Sequence, residues 1–496
     1  MLSVAAAGGP GASELSDFHL SYTPRTDAER ARIAAVVAPT TDFTQAERFE
    51  TNPGGRSTVR PRDMSKAFSL PFPAADDPDG LDVVLGEAMF EKLWVSSPSS
   101  TLASDGLGPL YNARACSLCH VNDGRGHPPA HADDRTTSFV LRISVPGGPS
   151  PDGIADWMAS SPHPTYGLQL QDAGTPGMLA EHRLSVTYEE VEVPLSGGEI
   201  AMLRKPTYGS NDLGYGPMDP QAMTSPRVAP QMIGLGLLEA IPTADILALA
   251  DPDDLDGDGI SGRPQIVPSL EFGRPMLGRF GHKAIMPTLH EQNADAFAND
   301  IGISSPLKPD PWGDCTAAQT SCRAAYHGDD TERGGFEVSA EALDLVTLYT
   351  QNLAVPARRD VDDQEVLRGK QVFHETGCIS CHTPKHVTAR IPDRPDHSFQ
   401  LIWPYTDLLL HDMGEGLADH RPEGRATGRE WRTPPLWGIG LTENISGHTQ
   451  FLHDGRARSL LEAILWHGGE AQAQRDTVVT MPPADRSALI RFLESL

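Results

Sequence analysis

No stretch of this 496-residue sequence stays apolar for anything near the ~20 residues that a membrane-crossing helix needs, so no spanning helix is expected. Basic residues are also in short supply: 40 Lys and Arg stand against 67 Asp and Glu, a formal net charge of -27. Such a field repels nucleic acid and anionic lipid surfaces, and it suits a basic protein partner or a neutral or cationic substrate. The opening MLSVAAAGGPGASELSDF has neither the basic nor the long apolar region of a secretion leader. A leader removed from the chain, or missed upstream of it, is expected.

Cysteine is scarce too, which makes its placement informative. Of the six cysteines, four fall in two C-x-x-C-H pentads, Cys116-Cys119-His120 and Cys378-Cys381-His382. On a helix, cysteines at i and i+3 share a face, so both thiols can add to the vinyl groups of one porphyrin while the His at i+4 meets the iron. The competing readings are a thioredoxin-like dithiol or half a zinc site. Chance supplies one such pentad only about 0.003 times in a chain of this cysteine and histidine content. A zinc ribbon would also bring its two pairs much closer together. Two covalently bound haem c groups are expected, their irons held by His120 and His382.

The remaining pair, Cys315 and Cys322, lies in the loop-like stretch 310–325 with no metal-ligand spacing around it. A local disulfide is expected in preference to free thiols, which points to an oxidising compartment. Covalent haem attachment agrees, because in bacteria it takes place outside the cytoplasmic membrane. A periplasmic or otherwise exported protein is expected.

The pattern along the chain suggests three parts. Residues 1–80 read as an irregular arm, rich in Pro, Gly, Ser and Thr. Residues 81–335 read as an N-terminal haem domain with insertions: helical periodicity from Leu81 to Trp94, strand-like runs at Phe139 to Val145 and Arg183 to Val193, then a helix-like ILALAD. Residues 336–496 read as a C-terminal cytochrome c-like domain. There Ser339 caps one helix, Gln364 to Glu375 delivers the second pentad, and Pro482 and Pro483 open a closing helix. The expected fold is mainly α, two cytochrome c-like haem domains with long loops and a few short β-hairpins.

Motifs from about Leu81 onward resemble a known family. SPRVAPQMIGLGLLEAIP, DPDDLDGDGISGRP, LGRFGHKA, YTDLLLHDMGEGLAD, EWRTPPLWGIGL and FLHDGRARSLLEAILWHGGEA look like those of the di-haem oxidoreductases labelled "thiol oxidoreductase". That family is similar to di-haem cytochrome c peroxidases, to the di-haem enzyme that matures tryptophan tryptophylquinone, and to rubber oxygenases. The "thiol" label fits poorly, since no spare dithiol remains. The resemblance implies two facing haem domains, the first with an open or displaceable iron position that meets the oxidant, the second six-coordinate and passing electrons.

Further residues are candidates on this basis. For the first iron's far side they are His282, His127 and His131; the family pattern carries tryptophan where this chain has His282. The related peroxidases use a distal Glu to move protons, for which Glu239 and Asp245 are on offer. His453, Arg456 and Arg458 are candidates for haem propionates. Asp254, Asp256 and Asp258 have the alternating spacing of a calcium loop but lack its closing Glu, with Gln265 in that place; calcium and a plain polar turn both remain open.

His467 is the expected sixth ligand of the second iron. Ser459 and Glu462 form a capping box, after which Leu460, Ala463, Ile464 and His467 fall at i, i+3, i+4 and i+7. His467 thus takes a place on the apolar stripe, and the resemblance sets it where the peroxidases place a methionine. Met413 is the rival. The functional expectation is an oxidoreductase with peroxidase-type chemistry at the first haem, served by a basic soluble redox protein of cytochrome or cupredoxin type. The alternatives are a pure electron-transfer cytochrome and a rubber-oxygenase-like dioxygenase.

Overall fold

A computed structural model describes residues 15–72, 80–101, 104–131, 134, 138–329 and 334–496. The first 14 residues, most of the opening MLSVAAAGGPGASELSDF, lie outside that set. Each pentad sits beside a crossed pair of helices. In the first half, Gly80–Phe90 crosses Ala340–Gln351, burying Val83, Phe90, Leu343, Val346 and Tyr349 together. In the second, Gln364–Glu375 crosses Pro483–Ser495, burying Val366, Phe373, Leu489 and Phe492. Both crossings depend on a glycine: a Cβ on Gly86 would stand 2.1 Å from the Leu345 carbonyl oxygen, and one on Gly369 would stand 1.9 Å from that of Ala488. Only a bare backbone allows axes this close.

The expectation of a mainly α fold is overturned. The described residues are 29% helical and 19% strand, with 13 α-helices and many small sheets among them. Most strands are two- or three-residue pairings that pin loops to one another. Two larger β structures come from the Pro- and Gly-punctuated middle third, where period-2 patterning wins over helix formation. A four-stranded sheet is built on Phe139–Pro146, which pairs antiparallel with Met223–Val228, Ser160–Ser161 and Gln169–Leu170. A long hairpin joins Arg183–Pro194 to Ile200–Asn211.

That hairpin reaches over the C-terminal half. Val193, Leu195 and Leu203 pack on Leu465, Arg204 donates to the Gly455 carbonyl (3.1 Å) and Tyr208 to that of Asp454 (3.2 Å). The N-terminal arm does the same from another side. It contains a helix at Asp27–Val37, opened by a capping box of Thr26 and Glu29, and Thr58–Val59 pairs in parallel with Val355–Pro356. Phe68 and Phe72 enter a third core shared with Ile241, Leu409 and Trp437. No helix among the described residues is long and apolar enough to cross a membrane.

Candidate haem sites

Both pentads open on a single cavity of about 410 Å³. The first forms a short helix, Cys116–Cys119, with His120 just past its end. His120 Nδ1 donates to the Pro230 carbonyl at 2.7 Å, which leaves Nε2 with a lone pair. Burial pushes this imidazole down to about 4, the neutral form a metal requires, and pushes the Cys116 thiol up to about 12. The second pentad is a 3₁₀ turn, Cys378–Ser380, after a helix capped by Asp363. There His382 Nδ1 donates to the Tyr405 carbonyl at 3.0 Å, and burial again pushes the ring down to about 4.

His467 lines the same cavity. Its helix, Leu460–Leu465, ends earlier than the apolar stripe implies, so the residue stands just beyond the last turn. Its Nδ1 donates to the Ala463 carbonyl at 2.7 Å, again leaving Nε2 available, and its charge is close enough to disfavour protonation of His382. The capping box is half formed: Ser459 accepts from the Glu462 amide, whereas Glu462 turns to the Arg458 amide and guanidinium.

Other candidates fall differently. His282 lines the cavity, but its Nε2 donates to the Val228 carbonyl at 2.9 Å. His127 bonds the Pro128 carbonyl and rests edge-on to His448, His131 is exposed, and neither borders the cavity. Glu239 lies outside it as well, accepting from the Leu289 amide (2.8 Å) and the Gln351 side chain (2.6 Å), while Asp245 pairs with Arg25. His453 does line it, stacked on Trp431 at 3.7 Å with its Nε2 unpartnered. Arg456 is committed to Asp454, and Arg458 to Glu190 and Glu462. The acidic groups that converge are Asp251, Asp254 and Asp256; Asp258 instead caps the Ile260 amide. Cys315 and Cys322 meet at disulfide distance, Cα to Cα 6.3 Å.

Sequence reasoning missed the cavity's own polar groups. Arg125 and Arg432 line it, each with two donors spent on backbone carbonyls and, among the described residues, no carboxylate partner. Burial pulls both guanidinium groups down to about 10. Asp454 and Asp407 offset that burial only in part and from a distance, so each guanidinium can take a further anion; a propionate-bearing porphyrin brings one, and these residues fit a haem. The carboxyls on the lining are Asp295 and Asp300. Against burial, Lys308 and Arg142 hold Asp295 below the usual range, while burial lifts Asp300 above it. Asp300 projects from a single π-turn, Phe297–Ile301, and takes one side-chain hydrogen bond, from Gln169 to Oδ1 at 2.7 Å. No motif marked Asp300 in advance; its signal is three-dimensional.

Two thiol pairs and three neutral histidines around one cavity define a protein built to hold a pair of haems. Residues 49–496 match the family described as "Di-haem oxidoreductase, putative peroxidase", and the chain belongs to it. The protein is a haem-dependent oxidoreductase. No curated protein matches the chain.

Proposed function

We propose that this is an exported di-haem c-type oxidoreductase that reduces a peroxide-class oxidant at the first pentad, with electrons arriving through the second from a basic soluble redox protein. One observation carries the reading. His467 lines the cavity with its Nε2 free and lies close enough to His382 to disfavour its protonation, whereas His282, the first candidate for the other iron, has its Nε2 tied to Val228. On this reading His382 and His467 would hold the second haem's iron and His120 the first's, whose chemistry would be the activation of the oxidant.

When bound, the haems supply the site where the oxidant binds and the electrons that reduce it. The chain does the rest. Cys116, Cys119, Cys378 and Cys381 fix the two porphyrins through thioethers, and Arg125 and Arg432 receive propionates. Asp300 takes a proton from one peroxide oxygen at its free Oδ2 and returns it to the other, so that one peroxide, two electrons and two protons give two waters. Covalent attachment and the Cys315–Cys322 bridge support export. Ferric EPR of the pure protein should show one high-spin and one low-spin haem, and Asp300→Asn should slow peroxide reduction by about 10²–10⁴-fold with both signals kept. Two low-spin haems without peroxide turnover would instead mark an electron-transfer protein, and oxygen-dependent alkene cleavage an oxygenase.

A further inference from the structure

His411 has no part in that scheme, yet it is among the most tightly held groups in the molecule. Its side chain is 2% exposed, with Nε2 2.7 Å from Asp407 Oδ2 and Nδ1 2.8 Å from Glu470 Oε2. A carboxylate oxygen at each ring nitrogen requires a proton on both, so the ring is an imidazolium. Burial opposes that charge, but Asp407 and Glu470 outweigh it and hold the group well above its ordinary range. The carboxylates are themselves satisfied: Asp407 accepts from the Leu409 amide (2.9 Å), and Glu470 from the Ser261 hydroxyl (2.7 Å) and the Asp412 amide (3.2 Å).

What the cation joins gives it meaning. On one side His411 Nδ1 lies 3.5 Å from Cys381 Sγ, and the Asp407 amide donates to the Cys381 carbonyl at 3.1 Å. On the other side is Glu470, three residues after His467. His411 thus stands between the two segments that carry His382 and His467. We propose that His411 is a positioning residue whose fixed charge clamps the His467 turn to the second pentad and keeps the second haem six-coordinate.

The clamp rests on His467 being that haem's ligand. Without the cation, Asp407 and Glu470 are like charges facing each other across a buried gap. Asp407 is anchored to the pentad backbone, so Glu470, the more exposed of the two, must swing out and carry His467 with it.

Three variants and a reference test this by ferric EPR and optical spin state, with the haem count from a pyridine haemochrome assay as the loading control. His411→Asn should move the second haem toward high spin, changing the ratio of ligated to unligated iron by at least about tenfold. His411→Asn/Glu470→Gln removes the repulsion and leaves two side-chain amides that can hydrogen-bond in place of the ion pair, so it should restore low spin, a rescue that a merely structural role would not give. Glu470→Ala cuts the tether with His411 in place and should also raise high spin, which keeps the idea testable if His411→Asn does not fold. His467→Gly must give a high-spin second haem; an unchanged spectrum there refutes the ligand reading and the clamp with it. A fully low-spin second haem in both His411→Asn and Glu470→Ala overturns the clamp alone, and failure of the double variant to recover overturns its electrostatic basis.

Discussion

Asp123 shows how a single side chain couples the first pentad to the conditions around it. Its amide donates to the His120 carbonyl (2.9 Å), and its carboxylate accepts from the Tyr349 hydroxyl (2.8 Å). Burial nevertheless raises it to about 6. Because its native pKa lies above that of the unfolded chain, the native state binds the extra proton, and the stability it lends is full at low pH. That stability is lost as pH rises from the ordinary value through 6, and the native state loses about 3 kcal/mol across the interval. Urea titrations between pH 4 and pH 7 should show the decline, and Asp123→Asn, which keeps the acceptor for Tyr349, should flatten it. Residues of this kind escape a linear reading. The pentads catch the eye because haem attachment chemistry demands that spacing, whereas His467, expected on an apolar stripe, stands beyond the end of its helix and reaches the cavity from there. Arg125, Arg432 and Asp300 stand out only when their unpaired or weakly paired state in the cavity is seen, whereas Arg456 and Arg458, conspicuous in the sequence, are already matched by carboxylates.

At the scale of elements, the helices announced themselves where period and cap coincide. Ser339 and Pro482 each precede the helix expected from them, and the helix expected over Gln364 to Glu375 is present, with Asp363 as a cap the sequence reading did not name. The helix Asp27–Val37 did not, since it buries only Ile33 and shows no apolar stripe. The balance of helix and strand was misjudged because pairings such as Leu410–Asp412 with Glu430–Arg432 are held by distant partners, and local propensity says little about them. The helix crossings offer the sharpest test at this level. Gly86→Ala and Gly369→Ala each favour their own helix by about 1 kcal/mol of propensity, yet each places a methyl within 2.1 Å of a facing carbonyl oxygen. Overpacking of that kind typically costs about 1–3 kcal/mol, so both variants should be net destabilised in urea melts. Stabilisation of either would mean that the axes can part.

For the molecule as a whole, the sequence offers one haem pentad in each half of the chain but gives no sign of how closely the two halves interlock. The hairpin from the first half grips residues 454–465, the arm threads between the halves, and one cavity is walled by both. Chain made without haem should be more readily cleaved by protease than the loaded protein and should unfold at lower urea, since the guanidinium groups of Arg125 and Arg432 are then buried without propionates. Equal protease resistance with and without haem would show that the walls close unaided.

The shared cavity also sets an order of manufacture. Its lining runs from Phe90 to Leu493, so almost the whole chain must be present before the chamber can shut. Thioether formation needs each thiol pair open to the attachment apparatus, and burial of the Cys116 thiol, with its pKa near 12, makes that chemistry hard once the walls have met. If the haems are attached through thioethers, both should be installed before the walls meet. A molecule that closes with one pentad unfilled then has no easy route back, because the empty thiols lie on the wall of a chamber already shut.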